Sequence, residues 1–133
     1  MIFLLDTNVC VVYLNQPQSS VAAQLHRYRL QDIVVCSVVK AELYFGAMKS
    51  QKPEQTLAKQ QQFLIAFHSL PFEDEAALIF GQIRADLQRQ GKPIGPYDLQ
   101  IAAIALANDL TLVTHNTAEF SRIDGLRLAD WEI

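Results

Sequence analysis

Apolar residues along the chain fall into two periods. Ile2-Phe3-Leu4-Leu5, Ile33-Val34-Val35-Cys36 and Thr111-Leu112-Val113-Thr114 are short, continuous apolar or β-branched runs, the pattern of strands buried on both faces. Ser69-Leu70-Pro71-Phe72 is a weaker strand signal, and Leu126-Arg127-Leu128 reads as a short edge strand. Between these runs the spacing turns helical. Val21, Leu25 and Tyr28 share one face, as do Ala76, Phe80, Ile83 and Leu87. Ser37 stands where an N-cap belongs before a helix over residues 38–48, and Pro53 suits the first turn of a helix reaching about residue 68. Asp74 can cap a segment ending near Gly91. Residues 97–108 are apolar nearly all round, which predicts a helix buried on most sides.

Strands alternating with helices predict an α/β domain: a mainly parallel central sheet with helices on both faces, in three layers. Such a sheet places its working residues at the carboxyl ends of the strands, near the point where strand order reverses. No internal repeat or linker divides residues 1–133, so a single domain is expected. The loop Gly91-Lys92-Pro93-Ile94-Gly95-Pro96 delivers the chain into the apolar helix just before Asp98.

Composition narrows the class. Half of the 133 residues are hydrophobic and 19% are charged, below the usual figure of about 25%, so a folded core is expected and a disordered tail is not. No apolar run approaches the roughly 20 residues of a transmembrane helix. The start of the chain lacks a basic leader and runs straight into Asp6, so it does not read as a signal peptide, and the expected location is the cytoplasm. Cys10 and Cys36 are too few for a disulfide framework and read as buried thiols. A net charge of −3 argues against a nonspecific nucleic-acid coat, which is normally basic.

Three carboxylates stand at the expected working positions. Asp6 directly follows the first strand, beside a helix that Thr7 or Asn8 would cap, although Asp6 alone reads equally well as an N-cap. Glu42 lies in the second turn of the helix after the second strand, among the apolar Ala41, Leu43, Tyr44 and Phe45. Asp98 opens the most apolar helix, where burying a charge is costly without a counter-charge. Acids converging on one crevice could not all ionise unaided. A hard divalent cation resolves that conflict, and oxygen-only ligation favours Mg²⁺, with Mn²⁺ able to substitute. Such a site suits phosphodiester hydrolysis. Beyond the Thr111–Thr114 run, Thr114 can hydrogen-bond a carboxylate, Asn116 offers a neutral oxygen or a helix cap, and Glu119 offers a fourth charge. His115 could reach the substrate or act as an acid/base but reads first as an exposed loop residue, and His26 and His68 carry no functional signal.

Leu4-Leu5-Asp6-Thr7-Asn8, Ser37 with Ala41-Glu42-Leu43, Gly95-Pro96-Tyr97-Asp98 leading into Ile101-Ala102-Ala103, and Thr114-His115-Asn116 with Glu119-Phe120 occur in this order along the whole chain. Together they resemble the PIN-domain ribonucleases, and more closely the VapC toxins of bacterial type II toxin–antitoxin pairs. The resemblance implies an α/β/α sandwich, an acidic Mg²⁺ site, RNA endonuclease activity, inhibition by a VapB antitoxin and a homodimer. Position by position it implies metal ligation by Asp6 and Asp98, with Glu42 as the third carboxylate. Many relatives carry an aspartate where this chain has Asn116; Glu119, three residues on, takes that place in others. Thr7, Asn8 and Thr114 would orient the carboxylates.

The chemistry so implied is attack of water on an RNA phosphodiester, leaving a 5′-phosphate and a 3′-hydroxyl. The favoured substrate is tRNA. Lys40, Lys49, Arg84, Arg89 and Lys92 are candidate phosphate contacts, and Tyr97 could stack on a base. A haloacid-dehalogenase phosphatase, which also begins with an aspartate after the first strand, needs an acid where Asn8 stands. A non-catalytic PIN-like module binding RNA or protein is the alternative, and three retained acids speak against it. If Asp6, Glu42, Asp98 and Glu119 hold a cation, the other 10 acidic residues face 11 Lys and Arg. The acidic excess then resides in the site itself and no longer opposes an RNA substrate.

Overall fold

The structure, a computed structural model, describes residues 1–133. Five strands, β1 (Phe3–Leu5), β2 (Ile33–Cys36), β3 (His68–Leu70), β4 (Thr111–Val113) and β5 (Leu128–Ala129), form one sheet in the order β3-β2-β1-β4-β5. All four pairings are parallel. Seven helices connect and cover them: α1 (Thr7–Asn15), α2 (Ser20–Leu25), α3 (Ser37–Met48), α4 (Pro53–Leu64), α5 (Asp74–Arg89), α6 (Pro96–Ala107) and α7 (Thr117–Phe120). The α/β/α sandwich expected from the sequence is therefore present. Strand order reverses between β1 and β4, so the crevice beyond their carboxyl ends is where a ligand site belongs.

The β-branched run of β2 is buried at every position, as a central parallel strand requires. In α6, Leu99 and Ile101 to Ala105 are buried in succession, so its polar first turn is anchored to an almost wholly enclosed helix. One core joins Leu4, Val34 and Leu112 of the sheet to Ile101, Ile104 and Phe120. Cys10 and Cys36 are buried free thiols, and burial pushes Cys36 up to about 11. Gly91 ends α5 at φ 69°, with Lys92 N–H donating to the Leu87 carbonyl at 2.9 Å and Gly91 N–H to that of Gln88 at 3.1 Å. Only a left-handed residue closes a helix this way without strain.

Several boundaries differ from the periodic reading. α4 stops at Leu64, not near residue 68, because His68 pairs with Val34 and begins β3. β3 is correspondingly shifted towards the N-terminus and ends before Pro71, which lacks a ladder donor. β5 is Leu128–Ala129 and excludes Leu126. Tyr28 lies beyond the end of α2, yet still stacks on Trp131 with centroids 5.7 Å apart. The caps move as well: α3 begins at Ser37 itself behind Cys36, and α5 begins at Asp74 behind Glu73. Neither Thr7 nor Asn8 caps α1; Asp6 does. No helix is long and apolar enough to cross a membrane.

Candidate active site

Asp6 emerges from β1 at the switch point, its own N–H held by the Val113 carbonyl of the neighbouring β4 at 3.1 Å. Its Oδ1 accepts from Val9 N–H at 2.9 Å, so the residue is at once the cap of α1 and a carboxylate in the crevice. Only 6% of it is exposed. Burial raises its pKa; the hydroxyl of Thr114 and the Val9 N–H pull the other way, and the charges of Glu132 and Glu42 add to the rise. Across the crevice, Asp98 sits half-buried in the first turn of α6. Its carboxyl is pushed up to about 6, by burial first and then by the negative charges of Glu42, Glu119 and Asp6. The acids chosen from the sequence thus act on one another in space.

Neighbours fix these carboxylates. The Thr7 hydroxyl donates to Glu42 Oε1 at 2.6 Å, tying the start of α1 to the second turn of α3. Asn116 Nδ2 donates to Glu119 Oε2 at 3.0 Å, while Asn116 N–H donates to the Thr114 hydroxyl at 3.0 Å. Asn116 occupies the N-cap position of α7 but makes no capping bond with its side chain. Asn8 is exposed. Glu42 is not enclosed by apolar neighbours: Ala41 and Phe45 beside it are exposed, and it borders an open cleft. The molecule's five ion pairs lie elsewhere, so none of Asp6, Glu42, Asp98 and Glu119 is ion-paired with a Lys, Arg or His. An oxygen-only set of mutually repelling carboxylates fits a hard divalent cation.

The sequence did not single out Lys59, the exposure of Phe45, or the grouping of His115 with Asp130 and Glu132. Lys59 of α4 lines a cavity of about 250 Å³ together with Thr7 and Glu42. Phe45 is 65% exposed beside Glu42. His115 Nδ1 lies 3.0 Å from Asp130 Oδ2 and 3.9 Å from Glu132, and Glu132 in turn acts on Asp6. Ligand atoms of these three residues lie within 4.8 Å of one another, a second grouping bordering the first. Of the basic candidates, Lys49 stands 4.9 Å over the Phe45 ring, whereas Arg84 lies over Phe80 and Arg89 pairs with Asp86. Lys40 lines a separate groove with Gln61 and Ile65, and Lys92 is exposed in the loop before α6.

The PIN domain, as a family, matches residues 3–126. The chain belongs to the PIN-domain family. It is 44% identical over 131 residues to the tRNA(fMet)-specific endonuclease VapC of Shigella flexneri, covering 97% of each chain, and 38% identical over 133 residues to ribonuclease VapC2 of Rickettsia felis, covering 99% of each. The crystal structure of DNA-bound VapBC from Salmonella typhimurium superposes with a TM-score of 0.93 at 37% identity over 98% of both chains. This PIN domain therefore sits among the VapC ribonucleases and is a nuclease. Both the fold and the family expected from the four sequence segments hold.

The charge on Asp98 has a measurable consequence for this PIN domain. Its folded carboxyl titrates near 6 against an ordinary 3.8, so the folded state binds the extra proton between those values and loses stability as pH rises through them. In chelator, the stability difference between wild type and Asp98→Asn is expected to be smallest below pH 4. It should grow in the variant's favour up to about pH 6 and level off above, by about 1 kcal/mol once the shift is discounted for partial solvent screening. Urea unfolding of both proteins across that range measures it; a flat difference contradicts the repulsion.

Proposed function

We propose that this nuclease is a Mg²⁺-dependent RNA endonuclease, with Mn²⁺ able to substitute, acting as the toxin of a VapB-type antitoxin pair in the cytoplasm. The observation that carries it is that the charges of Glu42, Glu119 and Asp6 act on Asp98 in one crevice while none of the four acids is ion-paired. When bound, the cation supplies Lewis acidity: it lowers the pKa of a water and offsets negative charge on the phosphate. Asp6 and Asp98 would hold it most directly, with Glu42 third and Glu119 or Asn116 completing the set. The chain's own contribution is orientation. Thr7 fixes Glu42, Asn116 fixes Glu119, and the Thr114 hydroxyl favours the ionised form of Asp6.

The names of the Shigella and Salmonella relatives, tRNA(fMet)-specific endonucleases, support tRNA as the substrate. The VapBC complexes from Salmonella and Rickettsia support a VapB partner. A homodimer is the proposed assembly. Purified chain, freed of antitoxin, is expected to cut tRNA with Mg²⁺ or Mn²⁺ and to stop in EDTA. Expression alone should arrest growth and a co-expressed VapB-type antitoxin should restore it. Cleavage persisting in chelator overturns the metal reading, and harmless expression of an active enzyme overturns the toxin reading.

A further inference from the structure

Beside the acids, α3 and α6 leave two large aromatic rings uncovered. Phe45 is 65% exposed and Tyr97 60% exposed, although the core a few residues away encloses Leu43 and Leu99 almost completely. The two rings line one cleft of about 440 Å³ with Ala41, and the hydrogen-bonded pair Thr7 and Glu42 lines it too. That is the size of a small-ligand pocket, generally about 300–1,000 Å³, and one of the proposed cation ligands, Glu42, forms part of its wall. The Lys49 ammonium stands 4.9 Å over the Phe45 ring, the only basic group placed against these aromatics. Exposed aromatic faces with a neighbouring cation are what single-stranded nucleic acid requires: bases stack on the rings while the cation meets a phosphate.

We propose that this cleft seats one unstacked RNA base against Phe45 and Tyr97, beside the phosphate held at the acidic site, with Lys49 taking the adjoining phosphate. The inference rests on the reading of the chain as an RNA-cutting nuclease and names the part of the RNA the enzyme grips. Because every base has a π-face, the seat selects unpaired nucleotides over duplex rather than one base over another. A cut confined to a loop or bulge follows from it. None of the lining residues Thr7, Ala41, Glu42, Phe45 and Tyr97 is basic, Lys49 standing over the Phe45 ring instead, so affinity must come from stacking more than from charge.

The test uses the full chain and short single-stranded RNAs carrying one 2-aminopurine at successive positions, with binding in EDTA read by fluorescence and cleavage in Mn²⁺ read in parallel. Wild type is expected to quench the probe at one position. Phe45→Leu and Tyr97→Leu, both at exposed sites where folding is not at stake, should lose that quench and bind about 5- to 150-fold more weakly. Phe45→Trp and Tyr97→Phe should restore it. Cleavage with no position-specific quench, or leucine variants that bind like wild type, overturns the base seat while leaving the nuclease standing. Quench without cleavage supports the seat and counts against the nuclease reading. Leucine variants that keep RNA binding but release a co-expressed antitoxin make the cleft a protein-docking face and overturn the proposal.

Discussion

Asp98→Asn is expected to lower metal-dependent RNA cleavage by about 10³-fold or more while leaving the metal-free protein at least as stable as wild type. A cation at a phosphoryl centre contributes several kcal/mol of charge stabilisation, and each 1.36 kcal/mol is about tenfold in rate. Removing one of the two acids proposed to hold it most directly forfeits most of that. The stability half of the expectation depends on which of two opposed effects is larger. Asp98 lies in the first turn of α6, where a negative charge gains about 0.3–1 kcal/mol from the helix dipole. Yet its carboxyl is raised to about 6, so burial and the charges of Glu42, Glu119 and Asp6 outweigh that gain. Asparagine keeps the shape and drops the charge. Single-turnover cleavage and urea unfolding in EDTA measure the two halves; activity within tenfold of wild type removes Asp98 from the site.

The same balance explains what the sequence could show. The enclosure of α6 was legible because its residues are apolar in every direction, and an acid at the mouth of such a helix is conspicuous. β2 was legible from four β-branched or apolar residues in a row. The end of α4 was not, because Phe63 and Phe67 keep helical spacing; they remain in edge-to-face contact at 5.1 Å even though the helix has ended, so local period cannot reveal that pairing of His68 with Val34 prevails. Tyr28 misleads in the same way, since its aromatic partners come from β1 and the C-terminal segment. Glu42 stood out as an acid in an apolar setting, but the sequence could not tell which of its neighbours lacked a partner, and the exposure of Phe45 went unseen. His115 and Asp130 are 15 residues apart and meet because β4 pairs with β5. Contacts that depend on strand order leave no local trace.

Asp6 is the position where the structural and the functional reading coincide, and two substitutions pull them apart. The carboxylate caps α1 through Val9 N–H, and asparagine caps a helix about as well as aspartate. Asp6→Asn should therefore keep the fold. It also removes a charge that burial disfavours, so metal-free stability should be equal or higher, while cleavage falls about 10³-fold, as for Asp98→Asn. Asp6→Ala loses the same activity and in addition about 1 kcal/mol of stability, since the Val9 N–H is left without its acceptor. If the two aspartates hold one cation, the double variant Asp6→Asn/Asp98→Asn should be scarcely slower than either single one, because residues that act as a unit are not additive. Cleavage rates with urea unfolding in EDTA distinguish the cases. Retained activity in Asp6→Asn with loss in Asp6→Ala would reduce Asp6 to a cap, and multiplicative losses in the double variant would mean that Asp6 and Asp98 serve different steps.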